Sequence, residues 1–214
     1  MVKIVKDIQY TLTSDGWVAE SANDTDIYEV DIPAEIDGHP VVAIEFGAFE
    51  GLEKLETVWI PHTVTNIENR AFSDCINLKD VHSDSKDLML GTDVFHNCRM
   101  LTTFETAGTV LLGWRAFSNC IRLHRFVGKI DSLQDRAFLK CYALKEPLFF
   151  ADLLHHFYAN ALEGCSVSEL HFEGDVPEFK KLGEDLTRFV WYGRANSNIM
   201  DLAYQGLTVK IEEN

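Results

Sequence analysis

The sequence predicts an α/β solenoid, a stack of short units in which each strand is followed by a compact helical segment. Three observations carry the prediction. An aromatic ring recurs at Phe49, Phe72, Phe95, Phe117 and Phe138, with Leu162 in the sixth place, at steps of 21–24 residues. Three residues after each stands Leu52, then Cys75, Cys98, Cys120, Cys141 and Cys165. A β-prone triplet, such as Val58-Trp59-Ile60 or Phe126-Val127-Gly128, returns with the same period. A unit this short cannot bury an apolar face alone, so neighbouring units must bury it against one another.

The chain reads as one domain over 1–214. Residues 1–29 form an N-terminal cap, in which Ile8, Tyr10 and Leu12 alternate ahead of the turn residues Ser14-Asp15-Gly16, a hairpin signature. Residues 30–169 hold six repeats. Each has an alternating strand, a turn, a second apolar pair and then the segment Ala-Phe-x-x-Cys-x-x-Leu. Apolar residues three apart in that last piece suit a turn or two of α- or 3₁₀-helix. Residues 170–214 form a degenerate repeat and a C-terminal cap. There Asn196 or Ser197 caps a short helix carrying Ile199, Leu202 and Ala203, Gly206 closes it, and Leu207, Val209 and Ile211 form a last strand.

All five cysteines occupy one repeat position, which marks them as core rungs. Their spacing offers no Cys-x-x-Cys pair for zinc, and an odd number of equivalent rungs does not make a disulfide framework. The adjacent pair His155-His156 diverges on any regular element, so no metal site is expected. No phosphate-binding glycine loop and no Gly-x-Ser-x-Gly elbow occurs. No cofactor and no catalytic residue is therefore assigned.

Nineteen basic residues stand against 34 acidic ones, a formal net charge of -15. That balance argues against nucleic acid and anionic lipid as partners and favours a basic one. No apolar run reaches the roughly 18 residues a membrane helix needs, so no membrane insertion is expected. The N-terminal stretch lacks a signal peptide's apolar core. With five unpaired thiols this predicts a cytoplasmic protein. A secreted or cell-surface protein is the alternative.

In each alternating strand the two core residues flank one that points outward on the predicted concave face. The row so read is Asp31, Trp59, His82, Glu105, Val127, Leu148 and His171. An exposed Trp59 beside apolar neighbours is a candidate anchor for a protein or peptide partner.

The stretch "IPHTVTNIENRAFSDCINLKDV", 60–81, resembles the BspA-like leucine-rich repeat in its Ile-Pro, Val-x-x-Ile, Ala-Phe, Cys and Leu-x-x-Val positions. "VDIPAEIDGHPVVAIEFGAFEGLEKLETVWIP", 30–61, is similar to that family's opening repeat. "SNIMDLAYQGLTVKI", 197–211, is similar to its usual ending. The resemblance implies a right-handed solenoid with a parallel sheet on the concave side. It also implies a non-catalytic protein-binding or adhesion role, often on bacterial or protist surfaces. Two other functions stand beside it. One is an enzyme with its site at 147–160 or 174–196, around Trp191, Tyr192, Arg194 and the His pair. The other is a self-associating structural spacer.

Overall fold

The computed structural model describes residues 1–152, 154–176, 186–194, 197–199, 201–202 and 207–212. In chain order the first strands are β1 (Val2–Val5), β2 (Ile8–Leu12), β3 (Trp17–Ala22), β4 (Glu29–Asp31), β5 (Glu35–Ile36) and β6 (His39–Ile44). Then follow β7 (Thr57–Ile60), β8 (Asn66–Ile67), β9 (Asp80–Ser83), β10 (Asp87–Leu90), β11 (Thr103–Leu112) and β12 (Arg125–Leu133). The last are β13 (Leu148–Phe150), β14 (His156–Phe157), β15 (Glu169–Phe172), β16 (Val190–Gly193) and β17 (Thr208–Ile211).

The strands form a β-solenoid of about eight turns, with almost no helix among the described residues. The coils up to β14 contribute to two parallel ladders, and β15–β17 extend the first alone. One runs β4–β7–β9–β11–β12–β13–β15–β16–β17. The other runs β3–β6–β8–β10–β11–β12–β14. The long strands β11 and β12 pass through both ladders. The 8–20 hairpin forms as β2 and β3, with Thr13 and Gly16 closing the turn, and β1 adds an antiparallel strand to it. Trp17 of this hairpin lies under the second ladder and donates its indole N–H to the Ile36 carbonyl at 2.8 Å.

The predicted ladder of rings is the spine of the core. Phe49, Phe72, Phe95, Phe117 and Phe138 stack in series with centroids 5.1–5.4 Å apart. A second column, Phe104 and Phe126, stacks at 5.2 Å and meets Phe117 edge-on. Such offset and T-shaped pairs are the preferred aromatic geometries.

The segments around these rings are not the expected short helices. The residues two before and two after each ring have positive φ: Gly47, Arg70, Asp93, Arg115 and Arg136 before, and Gly51, Asp74, Asn97, Asn119 and Lys140 after, with φ of 54–71°. A left-handed residue every fourth position breaks a helix. The N–H groups are turned outward along the stack instead. Phe72 donates to the Val94 carbonyl at 3.0 Å, Phe95 to Ala116 at 2.8 Å, and Asn97 to Ser118 at 2.8 Å. The third side of each coil is thus a pair of turns bonded to the next coil. Among the described residues, 3₁₀ turns occur at Ala159–Leu162 and Leu186–Arg188. Of the predicted C-terminal helix, Asp201 and Leu202 are helical, while Asn196, Ala203 and Gly206 lie outside the described residues.

The cysteines are buried and unpaired. Each thiol reaches the ring-bearing residue of the preceding coil: Cys75 Sγ to the Phe49 carbonyl, Cys98 to Phe72, Cys120 to Phe95, Cys141 to Phe117 and Cys165 to Phe138, at 3.0–3.1 Å. A Cys is both small enough for the rung and able to satisfy that carbonyl, which Ala or Val could not do. Burial pushes the Cys75 thiol up to about 12 and those of Cys98, Cys120 and Cys141 well above the ordinary range.

Candidate functional site

On the first ladder, alternate side chains enter the core and the others project outward. Register puts Asp31 beside Trp59, Trp59 beside His82, His82 beside Glu105 and Glu105 beside Val127. Five of the seven predicted residues therefore form one continuous row.

Trp59 is 46% exposed and stacks on His82, with centroids 4.3 Å apart. His82 Nδ1 lies 3.4 Å from Glu105, whose other oxygen takes the Arg125 Nε–H at 2.7 Å. The Arg125 hydrogen bond is the largest influence and, with the charges of Arg125 and His82, holds the Glu105 carboxyl below the ordinary carboxylate range against the opposing effect of burial. At the near end Lys6 pairs with Asp31. A cavity of about 290 Å³ opens over Trp59, walled by Glu29, Asp31, Asp84, His82 and Pro61.

Leu148 does not belong to the row. It is 1% exposed and pairs with core Leu170, and its neighbour Phe149, 49% exposed, takes the outward place. The cause is one extra residue. Val58, Val81, Phe104 and Phe126 each follow a core Leu by three, but Leu148 follows Leu144 by four. All of Leu148-Phe149-Phe150 being apolar, alternation could not correct the register.

Beyond the shift the row resumes as Lys129, Phe149, His171, Tyr192 and Lys210. His171 is clamped between Phe149 at 4.8 Å and Tyr192 at 4.3 Å, nearly parallel to the latter. Its Nδ1 meets Glu212 at 2.5 Å. The Lys210 ammonium lies 3.1 Å from the Tyr192 hydroxyl. The inserted residue hides Phe149, whereas Tyr192 and Lys210 lie where the last unit has lost the Phe and Cys landmarks that fix the period. Between the two aromatic groups, beside Val127, a groove of about 710 Å³ is cut into the same face.

The residues nominated for an enzyme do not converge. Trp191 is core, stacked on Phe172 at 5.6 Å. His155 is paired with Asp131 at 3.0 Å, Arg194 is exposed, and 177–185 and 195–196 lie outside the described residues. No three His, Cys, Asp or Glu side chains among the described residues converge as a metal site. No described helix is long and apolar enough to cross a membrane.

The sequence matches the model of the BspA type leucine rich repeat region in six copies, over residues 22–145 and 112–183. No curated protein matches it. Among solved structures, a leucine-rich repeat protein of T. pallidum is 21% identical with a TM-score of 0.57, covering 99% of this chain and 98% of its own. One from Bacteroides ovatus is 19% identical with a TM-score of 0.51, covering 98% and 67%. One from Eubacterium ventriosum is 19% identical with a TM-score of 0.58, covering 86% and 53%. At such identities the likeness is one of fold.

Proposed function

Because the chain belongs to the BspA type leucine rich repeat proteins, we propose that it is a non-catalytic binding module of adhesion type, holding a protein or peptide on the outward face of its first ladder. The family favours a protein-interaction role over an enzymatic one. The observation that carries the proposal is the pair of pre-stacked aromatic groups, Trp59–His82 and Phe149–His171–Tyr192, on one rigid sheet face. Aromatic side chains fixed in place lose little entropy on binding and dominate interface energetics. The carboxylates of Glu29, Asp31 and Asp84 around Trp59, in a chain of net charge -15, favour a basic partner. The row for this reading is Asp31, Trp59, His82, Glu105, Val127, Phe149 and His171.

The test is affinity capture from lysate and from surface extract of the source cell, wild type beside a Trp59→Ala/Phe149→Ala variant. A protein captured by wild type, lost with the variant and weakened by added salt is the expected result. Equal capture by both, or capture of nothing, overturns the assignment of the face.

A further inference from the structure

The groove beside Val127 marks a break in the first ladder. Elsewhere neighbouring strands pair along their length, as β7 and β9 do from Thr57↔Asp80 to Ile60↔Ser83. Between β12 and β13 the pairing begins only at Lys129↔Phe149. Arg125–Gly128 therefore has no strand partner on that side. Ala151 donates its N–H to the Ile130 carbonyl at 2.9 Å, which fixes the phase of this ladder. In that phase the donor due at the Phe126 carbonyl is the N–H of residue 147, which is a proline and has none. The N–H groups of Phe126 and Gly128 face the same side. No backbone hydrogen bond joins them to Lys145–Pro147.

The groove that results has Val127, Phe149 and Pro147 as its apolar surface. Three cations line it, Lys86, Arg125 and Lys129, against one carboxylate, Glu146. Arg125 and Lys129 are held by Glu105 and Glu173 in exposed pairs at 2.7 Å. Exposed pairs exchange partners at little cost. No described carboxylate is paired with Lys86.

We propose that this slot receives the C-terminal carboxylate of a peptide whose last side chain is apolar. The inference rests on the reading of this face as a binding surface and names one element of what it binds. An added strand could enter alongside Arg125, but the Lys129↔Phe149 pair closes the ladder ahead of it, so the entering chain must end there. Lys129 and its neighbour Lys86, at the closed end, select a carboxylate terminus over an ammonium one. The Gly128 N–H donates to the carboxylate, the Phe126 carbonyl accepts the peptide's last N–H, and the Phe126 N–H donates to the peptide carbonyl two residues before the end. This combines strand addition with capture of a chain end by a backbone amide. The terminal side chain lies on Val127 and Phe149.

The test is an amide NMR titration of the full chain with an acetylated hexapeptide ending in Ile-Phe. The free acid is compared with its C-terminal amide and with 3-phenylpropionate. Saturable shifts at the Phe126 and Gly128 amides are expected with the free acid, and at least about tenfold weaker binding with the amide, since bonds to a charged group are lost. Lys86→Ala, at an exposed position, should weaken the free acid and leave the amide unchanged. Equal binding of acid and amide, or shifts that bypass Phe126 and Gly128, overturns the proposal. Binding of 3-phenylpropionate as tight as the peptide's also overturns it, in favour of a small-acid site. Capture that depends on Trp59 alongside a negative titration removes this slot and leaves the binding face standing.

Discussion

Replacing Phe117 by Ala tests the ring ladder at its most connected point. Phe117 is fully buried and touches four rings: Phe95 at 5.1 Å and Phe138 at 5.4 Å in the stack, Phe104 at 5.0 Å and Phe126 at 5.7 Å edge-on. Deleting a buried Phe costs about 3–5 kcal/mol, and the value depends on how far the surroundings collapse. Here they collapse little, because the Phe117 N–H is tied to Ala137 at 2.7 Å and the Phe95 N–H to Ala116 at 2.8 Å, which holds the coils apart. The lost ring pairs place the cost at the upper end, about 4–5 kcal/mol. Equilibrium urea unfolding followed by far-UV circular dichroism, wild type beside Phe117→Ala, reads it. Phe149→Ala removes the same ring from an exposed site and should cost about 1 kcal/mol or less. A Phe117→Ala cost below about 1.5 kcal/mol, or one equal to that of Phe149→Ala, would refute the argument that the stack is a close-packed spine.

Two further outcomes follow from the packing. The thiols of Cys75, Cys98, Cys120 and Cys141 are raised in the folded chain. Their contribution is full below the unfolded thiol pKa of about 8.5, and above it each costs about 1.4 kcal/mol per pH unit as the unfolded state sheds protons the native state keeps. The urea midpoint should fall from about pH 8.5 upward, less steeply in a Cys98→Val/Cys120→Val variant, and a wild-type midpoint that stays flat to about pH 10 would count against sealed thiols. Gly108→Ala should lower the melting temperature, because its Cβ would stand 2.0 Å from the Lys86 carbonyl oxygen of the preceding coil, a backbone atom that cannot step aside. Overpacking of this kind costs about 1–3 kcal/mol, and an unchanged melting temperature would mean the coils are not in that contact.

The parts of the fold that were legible in the sequence are those that repeat at a constant offset. The rings, the thiol rung and the strand from Val58 to Phe126 all keep their spacing, so the row from Asp31 to Val127 could be read directly. Spacing of three was ambiguous for the Ala-Phe-x-x-Cys segment, since consecutive turns and a short helix both bring i and i+3 together. The deciding signal lay in the residue before the Cys, where Asp74, Asn97 and Asn119 tolerate a left-handed backbone. Leu148 was misplaced by a single inserted residue, which an apolar Leu-Phe-Phe run disguised. The groove was not legible at all, because it arises from a missing hydrogen bond between residues 21 positions apart, Phe126 and Pro147. The hydrogen-bonding role of the cysteines was hidden too. Periodicity gives the size of a rung and not what its polar atom faces.

The thiol-to-carbonyl links run in one direction only, each Cys answering the coil before it. At the same place in the first repeat stands Leu52, with no ring-bearing coil behind it. The stack therefore has a beginning written into one side chain. Coils between Phe72 and Phe138 repeat the same link, and a whole unit spliced in or cut out there would find its thiol-to-carbonyl partner already made. A unit placed ahead of Leu52 would present a carbonyl to a side chain with no thiol to offer it. Length in such an array can grow by copying its middle and not by extending its start.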